Sequence, residues 1–168
     1  MEFEQQLQTY LQKYDSAPGD MILASRMLVR SAHIVENRLN TILQPLSITI
    51  QEYLALLLIS STPGPIRPTE ISETLGISRP QVTRLLDSLE KRGDITRQKS
   101  PKDRRALLLN LTPKGKEVFN NSTVAVHKAY KICWQNSEKT IHDLLPALRQ
   151  MYLILREGED NADQATKK

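Results

Sequence analysis

The sequence has one cysteine, few aromatic residues and no long apolar run among its 168 residues. Cys133 has no second cysteine with which to form an internal disulfide, so we expect a reducing, cytoplasmic environment. Aromatic residues make up only 5% of the chain, which favours packed helices over a β-sandwich. No apolar run approaches the roughly 20 residues that cross a bilayer. The polar segment 1–15 also lacks the apolar core of a signal peptide, so we expect no membrane association.

Sequence signatures of enzymes are missing as well. We find no glycine-rich phosphate loop, no nucleophile elbow and no paired His/Cys set. The histidines, His33, His127 and His142, lie too far apart in sequence for metal-ligand spacing. Cys133 is better interpreted as an inert buried thiol than as a redox switch. We predict that the protein is not an enzyme and that it uses no metal and no cofactor.

The positive charge is concentrated in the middle of the chain. Residues 66–116 contain 12 Lys and Arg against 6 Asp and Glu, a net of +6, whereas the whole chain is +4 and the remainder therefore −2. A basic block in an otherwise slightly acidic chain indicates a polyanionic partner. Charge alone leaves open the alternative of a solvated charged surface.

Apolar spacing predicts helices on both sides of this block. A short helix is expected over 2–14, in an N-terminal extension of residues 1–19, and a longer one from Met21 to Leu43. Thr49 and Glu52 form a capping-box pattern that opens a buried third helix. Beyond the block, we expect a helix from Thr112 and Pro113 to about Gln135, one from Ser137 to Leu155 that Pro146 kinks, and a polar tail over 158–168.

Residues 61–112, which contain most of this basic block, predict a winged helix-turn-helix. "PTEISETLGIS" and "RPQVTRLLDSLEKR" are two short helices joined by a turn that contains Gly76, with Ser78 as the cap of the second. "DITRQK" and "ALLLNL" then predict two strands joined by the turn "SPKDRR". The predicted fold class is therefore mainly α, with one small β-hairpin wing.

The second helix of the pair has a polar face that can contact base edges. A helical wheel buries Val82, Leu85, Leu86 and Leu89 and exposes Pro80 and Arg84, with Gln81 and Ser88 on one flank. Arginine suits guanine and glutamine suits adenine in a major groove, and Ser78 with the free N–H groups of the helix start can receive a phosphate. Arg79 is included among the predicted DNA contacts. Asp87 fits this face less well; it can pair with Arg84 or Lys91, or it can accept a hydrogen bond from a cytosine amine. A merely solvated polar face is the alternative.

The hairpin turn presents a cluster of cations. We predict DNA contacts from Arg97, Lys99, Lys102, Arg104 and Arg105, in the minor groove or on phosphates. Asp103 can brace the turn through local hydrogen bonds and hold a neighbouring arginine extended. The alternative is an ordinary surface turn rich in lysine and arginine.

Residues 71–118 together resemble the MarR family of bacterial transcription regulators. The likeness rests on the helix pair, on "LEKRG" at the end of the second helix, on the Asp-Arg-Arg tip of the wing and on "LNLTPKG" before the next helix. It implies that Pro80, Gln81, Thr83 and Arg84 read bases and that Asp103 and Arg105 act in the wing. The order of the flanking helices fits the family over most of residues 20–156.

The resemblance also implies a homodimer that binds double-stranded DNA at a palindromic promoter site, most often as a repressor. The helical regions 20–60 and 113–157 would then form the dimerisation region. Many members of the family respond to a small anionic or aromatic effector near those helices, and His33, Asn37, Arg38 and Tyr53 could line such a pocket here.

Two other functions remain open from the sequence. Asp87 and the modest net charge of +4 favour a dimeric winged-helix module that binds proteins and has lost sequence-specific DNA binding. An RNA-binding winged helix is the other, although no aromatic stacking platform is visible.

Overall fold

A computed structural model of the chain describes residues 2–13, 18–101, 103 and 105–165. The chain divides into two compact units, residues 1–129 and residues 130–168. The first unit holds the core and the basic block, and the second consists of the end of one helix and the whole of another.

The described elements follow the predicted order of helices around one hairpin. Their bounds are Glu2–Leu11 (α1), Gly19–Leu43 (α2), Ile50–Ser61 (α3), Pro68–Leu75 (α4), Arg79–Lys91 (α5), Ile95–Lys99 (β1), Leu107–Leu111 (β2), Pro113–Cys133 (α6) and Glu138–Ala165 (α7). A short 3-10 helix, Gln44–Leu46, follows α2. The prediction of a mainly α-helical winged helix-turn-helix is confirmed.

Helix α3 lies at the centre of the core, as its nearly continuous apolar sequence predicts. Ala55 and Leu56 are 1% and 0% exposed. The predicted capping box starts this helix: Glu52 N–H donates to Thr49 Oγ1 (3.2 Å), and Thr49 N–H donates to Glu52 Oε2 (2.9 Å). Ile50 N–H donates to Asn40 Oδ1 of α2 (2.8 Å), so the α2–α3 connection is held by side chains as well as by packing.

Helices α4 and α5 form the helix-turn-helix. Gly76, at φ 63°, ends α4 in the left-handed conformation that glycine adopts at little cost, and Gly93, at φ 77°, follows α5 in the same way. The four predicted apolar residues of α5 are all buried, at 0–9% exposure: Val82, Leu85, Leu86 and Leu89. Their burial fixes which face of α5 points outward.

The hairpin pairs β1 and β2 antiparallel, with Ile95 opposite Leu111 and Lys99 opposite Leu107. A third segment joins the same ladder, because Ile66 and Leu107 exchange two backbone hydrogen bonds of 2.8 Å each. The residues just before α4 therefore lie beside the far end of the wing. A two-stranded hairpin alone is marginally stable, and this bridge ties the wing to the helix-turn-helix.

The base of the wing is closed against the start of α6. Thr112 N–H donates to Asp94 O (3.0 Å), and Thr112 Oγ1 donates to Gly93 O (2.7 Å). Gly115, in the first turn of α6, lies so close that a Cβ there would stand 1.8 Å from Asp94 O. No real side chain fits at that distance, which is the reason for a glycine at this position.

The largest departure from prediction is at the end of the chain. We expected the last helix to end near Leu155 and a polar tail to follow, but α7 continues to Ala165. Pro146 lies inside α7, and the expected kink there remains a prediction. At the other end, α1 stops at Leu11 rather than at residue 14, and Tyr14 lies outside the described residues.

Within the described residues, no single helix is both long and apolar enough to span a bilayer. Two consecutive segments, Gly19–Leu46 and Ile50–Ser61, are together long and apolar enough to span a bilayer, but the chain bends by 79° between them. Most of the second member is core, as the burial of Ala55 and Leu56 shows.

Candidate nucleic-acid interface

The outward face of α5 carries four exposed polar or small side chains near its N-terminal half. Pro80, Gln81, Thr83 and Arg84 are all exposed, opposite the stripe that includes the fully buried Val82. The side chain of Thr83 partly turns back, since its Oγ1 donates to Arg79 O (3.2 Å). This face presents hydrogen-bonding groups on a helix, the element that a major groove admits.

Gln81 also caps the helix that carries it. Ser78 N–H and Ser78 Oγ both donate to Gln81 Oε1, at 2.8 and 2.7 Å. The amide nitrogen of Gln81 makes no hydrogen bond within the described part of the chain and is available as a donor. A bidentate contact to adenine needs both atoms, so it requires this cap to open, whereas a single donated hydrogen bond does not.

Ser88 points inward rather than toward a ligand. It is half-buried, and its Oγ donates to Glu52 Oε1 of α3 (2.9 Å). The same oxygen accepts from Arg92 Nη1 (2.9 Å). Because its hydroxyl joins α5 to the core, Ser88 leaves the set of expected DNA contacts.

Arg92, which follows α5, is the centre of a network that sequence analysis did not anticipate. Besides Glu52, its guanidinium binds Asp94 Oδ2 through Nε (2.8 Å) and Ser47 O through Nη1 (3.0 Å). Lys114 Nζ donates to Arg92 O, so the start of α6 is attached as well. These bonds hold the C-terminal end of α5 against α3, the wing base and α6.

The charges of this network stabilise one another. Burial by itself raises the pKa of Glu52, but the backbone hydrogen bond at Thr49, the hydroxyl of Ser88 and the charge of Arg92 together lower it below the ordinary value. Burial likewise opposes the charged form of Arg92, and the carboxylates of Asp94 and Glu52 raise its pKa in spite of that. Glu52 is therefore ionised and Arg92 is protonated at neutral pH.

A second ion cluster joins the wing strand to α5. Arg97 Nη2 lies 2.8 Å from both Asp87 Oδ1 and Glu90 Oε2. We expected Asp87 to pair with Arg84 or Lys91, and its partner is instead Arg97. Arg97 was expected to contact DNA, but the structure places its charge between two carboxylates of α5. Its role here is to fix the wing strand against the helix.

The wing tip is braced by Asp103, as predicted, and also by a residue that sequence analysis missed. Asp103 Oδ1 accepts from Arg105 N–H (2.8 Å), while Oδ2 accepts from Nε and Nη2 of Arg67, at 3.0 and 2.9 Å. The Arg105 N–H, and after it the Arg67 guanidinium, lower the pKa of Asp103. Lys102 and Arg104, two further predicted contacts, lie outside the described residues.

The cations of the basic block thus fall into two groups. Arg67, Arg92 and Arg97 are held by carboxylates. In the part of the chain that the structure describes, no side chain forms an ion pair with the exposed cations of α5 and the wing, namely Arg79, Arg84, Lys91, Lys99 and Arg105. The carboxylates Asp87, Glu90, Asp94 and Asp103 are all occupied, so the positive charge of this surface is not neutralised by its own acids.

The four residues expected to line an effector pocket are not brought together as predicted. Tyr53 is 5% exposed and stacks on Phe119, with ring centroids 5.7 Å apart. It is a core residue, whereas His33, Asn37 and Arg38 are exposed on α2. A groove of about 400 Å³ lies elsewhere, between α1 and α2, and includes Leu23, Met27 and Ile34.

We also searched the described residues for a possible metal site. Among the described residues, no three His, Cys, Asp or Glu side chains lie close enough to hold a metal ion. Cys133, at the end of α6, is a free, partly exposed thiol. The arrangement of charges and donors on α5 and the wing suits a polyanion.

Comparison with known proteins points in the same direction. A MarR family model matches residues 46–106, which contain α3 to the wing tip. Transcriptional repressor MprA of Escherichia coli K12 is 34% identical over 152 residues, covering 89% of this chain and 86% of the repressor.

Two solved structures with DNA are similar to this chain over most of its length. CouR of Rhodococcus jostii RHA1, solved with a 23-mer DNA duplex, is 30% identical, with a TM-score of 0.66 over 76% of this chain and 89% of CouR. CouR is also known with bound p-coumaroyl-CoA. A mutant of MarR from Escherichia coli, solved with operator DNA, is 25% identical, with a TM-score of 0.70 over 79% of this chain and 95% of MarR.

Proposed function

The chain belongs to the MarR family of transcription regulators, and from that premise we propose that it is a dimeric repressor of a palindromic promoter site. In this proposal α5 enters the major groove, and the wing enters the adjacent minor groove. Two half-sites are then expected about one turn of B-DNA apart, roughly 34–36 Å.

The observation that carries the proposal is the separation of the cations into paired and unpaired groups. Arg79 and Arg84 extend from α5 and Arg105 from the wing, each exposed and none of them in a salt bridge within the described residues. The backbone N–H of Arg105 is the main cause of the lowered pKa of Asp103, and the charge of Arg105 contributes to it as well. Arg67 and Arg97 meanwhile pair with the carboxylates that would repel phosphate. A surface built in this way attracts DNA although the net charge of the chain is only +4.

Base reading is assigned to the N-terminal half of α5. Arg84 is the proposed partner of a guanine, because its guanidinium is exposed and can donate two parallel hydrogen bonds to O6 and N7. Gln81 donates through its free amide nitrogen, while Pro80 and Thr83 contact the groove wall or a thymine methyl group. Arg79 and Lys99 are assigned to phosphates, which position the protein without reading sequence.

Dimerisation is supported by apolar side chains that the single chain leaves uncovered. In α2, Met27 and Ile34 are 54% and 47% exposed, and in α7, Tyr152 and Leu155 are 59% and 61% exposed. Exposed apolar surface of this kind marks an interaction site in a folded protein. A second copy of the chain supplies an identical apolar surface and gives the twofold symmetry that a palindrome requires.

A small effector is a further part of the proposal. His33, Asn37 and Arg38 share the exposed side of α2 and offer a cation and polar groups to an anionic or aromatic ligand. The complex of CouR with p-coumaroyl-CoA supports an effector of this class. Tyr53 is excluded from this site because it is buried against Phe119.

The alternative, a protein-binding module without DNA specificity, loses its main support. It was favoured by Asp87 on the DNA-facing helix, and that carboxylate is occupied by Arg97 at 2.8 Å. An ion-paired Asp87 repels phosphate less than a free one would. The test below separates this alternative from the proposal.

The experiment is a selection of binding sites from random duplexes, followed by a salt titration. Anisotropy of the selected palindrome and of a scrambled duplex of equal composition is measured from about 50 to 200 mM salt, over which each phosphate contact adds to the slope of log K against log salt. We expect preference for the palindrome at every salt concentration and a steep loss of affinity for both duplexes. Equal affinity for the two duplexes, or no salt dependence, would eliminate the proposed function.

A further inference from the structure

We propose that Arg67 is a positioning residue for the wing: it acts through Asp103 to hold Arg105 in the orientation that reads the minor groove. This inference rests on the proposed function, since it concerns how one part of the DNA interface is held in place. Arg67 lies 36 residues before Asp103, immediately before α4, and outside the segments that we predicted to contact DNA.

The geometry at the tip is a chain of three groups. Two donors of Arg67, Nε and Nη2, converge on Asp103 Oδ2 at 3.0 and 2.9 Å. The other oxygen, Oδ1, accepts from the backbone N–H of Arg105 at 2.8 Å. One carboxylate therefore connects the guanidinium of Arg67 to the backbone of the residue whose side chain is exposed at the tip. Rotation of that carboxylate is opposed at both of its oxygens.

The position of Arg67 in the fold explains why it reaches the tip. Ile66 forms a two-hydrogen-bond bridge with Leu107 at the far end of β2, so the next residue stands beside the turn. Arg67 is at the same time the N-cap residue of α4, and its backbone N–H donates to Glu70 Oε2 at 2.7 Å. The contact thus joins the wing tip to the start of the helix-turn-helix.

The base and the tip of the wing are fastened by different pairs. Arg97 holds β1 to Asp87 and Glu90 of α5, and it lies on the strand rather than in the turn. The turn from Ser100 to Ala106 is closed by the backbone bond from Ser100 N–H to Ala106 O, 3.0 Å. Arg67 supplies the connection between this turn and a helix, and we infer that it limits the directions in which Arg105 can extend.

An alternative role for Arg67 is direct contact with a phosphate, because its side chain is 56% exposed. The two roles predict different couplings. If Arg67 contacts a phosphate, that contact persists when Asp103 is replaced. The double variant then loses DNA affinity by the product of the two single-variant factors. A positioning role disappears once residue 103 can no longer accept at both positions of its side chain, as in Asp103→Asn, so the two losses do not multiply.

The experiment is a double-mutant cycle of Arg67→Gln and Asp103→Asn. Binding is measured on two duplexes that share the selected palindrome and differ only in the base pairs under the wing, A·T-rich in one and G·C-rich in the other. A narrow A·T minor groove attracts an inserted arginine, so we expect each single variant to lose about fivefold on the A·T duplex and less than about twofold on the G·C duplex. The double variant should lose no more affinity for the A·T duplex than the single variant that binds it less tightly. Losses that multiply, or that are equal on the two duplexes, would overturn the proposal.

Lys99→Gln is the matched control, because it removes one exposed positive charge from the wing strand without touching Asp103. It should weaken binding to both duplexes alike. Hydrogen exchange of the Arg105 amide in the free protein gives a readout without DNA: Arg67→Gln should accelerate it and Lys99→Gln should not. An Arg105 amide that exchanges equally fast in wild type and in Arg67→Gln would contradict the positioning role.

Failure of this inference is distinct from failure of the proposed function. A wild-type protein that does not prefer the palindrome removes the proposed function and this inference with it. A wild-type protein that prefers the palindrome, combined with an additive cycle, removes only the role of Arg67.

Discussion

The winged helix-turn-helix region and the long helices that flank it differ in where their apolar side chains lie. In α5, Leu86 and Leu89 are 2% and 0% exposed, whereas in α7, Leu153 and Leu155 are 57% and 61% exposed. Both helices have an apolar stripe in their sequence, but these leucines are buried in α5 and exposed in α7. In the proposed dimer, a second copy of the chain would cover the exposed side chains of α7.

The two regions also differ in how many of their charged side chains form salt bridges. Around α5, carboxylates meet arginines at 2.8–2.9 Å in three separate clusters, centred on Arg67, Arg92 and Arg97. Among the described side chains of α7, the one comparable contact is between the neighbours His142 and Asp143, 3.7 Å apart and both largely exposed. The comparison indicates that the first region is specified from within the chain, and it agrees with the proposal that the second region is a dimer interface.

Disruption of the apolar face of α7 is expected to have the largest effect. Leu145 and Tyr152 lie seven residues apart on one side of the helix and are exposed in the single chain. Replacing both, as Leu145→Glu with Tyr152→Glu, places two charges in the proposed dimer interface and should weaken dimerisation by about a thousandfold. Sedimentation velocity measures this change.

Gln150→Glu is the control for that pair, because it adds a charge on the opposite, polar side of α7. It should leave the dimer intact. A double variant that sediments as the wild type does would show that this face is not the interface.

Removal of the Arg92 side chain is expected to have the next largest effect, and it tests the internal specification of the winged region. Arg92→Met leaves Glu52 and Asp94 without their shared cation, and unfolding free energy should fall by about 2–3 kcal/mol because buried carboxylates lose their partner. Denaturant titration monitored by circular dichroism measures it.

Lys91→Met, one residue earlier and exposed, is the comparison for Arg92→Met and should change stability by less than about 0.5 kcal/mol. Equal midpoints for the two variants would mean that the Arg92 network contributes nothing to the fold.

Arg84→Ala affects the partner rather than the fold. We expect a loss of about 1–3 kcal/mol in binding to the selected palindrome and a relaxed preference at one base pair of each half-site, because a base contact is removed. Lys99→Ala should weaken all sequences alike. Competition anisotropy with single-base variants of the palindrome distinguishes the two patterns, and an equal loss on specific and random DNA would contradict the assignment of Arg84.

The smallest expected effect is the loss of stability when Glu52 becomes protonated at low pH. Its folded-state pKa lies below the ordinary value of 4.5, so its ionised form contributes stability above about pH 4.5 and ceases to do so as the pH falls through the folded-state pKa. Glu52→Gln keeps an acceptor for the capping box but loses the charge, and should cost about 1 kcal/mol at pH 7.

The thermal midpoints of wild type and Glu52→Gln should therefore converge as the pH is lowered from 6 to about 3. A difference in midpoint that stays constant over this range would show that the charge of Glu52 is not what stabilises the network.

The local features of the fold were predictable from sequence because their causes are local. The capping box of Thr49 and Glu52 spans three residues, and the buried stripe of α5 follows from helical periodicity. The brace from Asp103 to Arg105 N–H spans two residues and was predicted on the same grounds. Each of these contacts joins residues that are close in sequence, so their spacing is enough to predict the contact.

The ion pairs were not predictable, because their partners are chosen by the tertiary fold. Arg92 and Glu52 are 40 residues apart, and Arg67 and Asp103 are 36 residues apart. A wheel drawn for α5 alone placed Ser88 on a flank, where nothing showed that α3 would bring Glu52 within 2.9 Å. The same limit applies to Tyr53, whose aromatic partner Phe119 lies on α6.

The end of α7 shows a different limit. We read the polarity of residues 158–168 as a tail, since helix prediction relied on apolar periodicity. Periodicity gives no signal in residues 158–165, and Gly158, Asp160 and Asn161 are weak helix formers, yet the helix continues to Ala165.

The contact at Gly115 has a consequence for mutational scanning. Because even a methyl group at this position would overlap the Asp94 carbonyl, a saturation library at codon 115 selected for folded protein should return almost only the parental amino acid. Codon 158, whose helical glycine has nothing within 4 Å of an added methyl group, meets no such steric bar, whereas Gly64, at φ 104°, is restricted by its backbone conformation. The amino acids tolerated at position 115 would then show whether the hairpin packs against the helix that follows it.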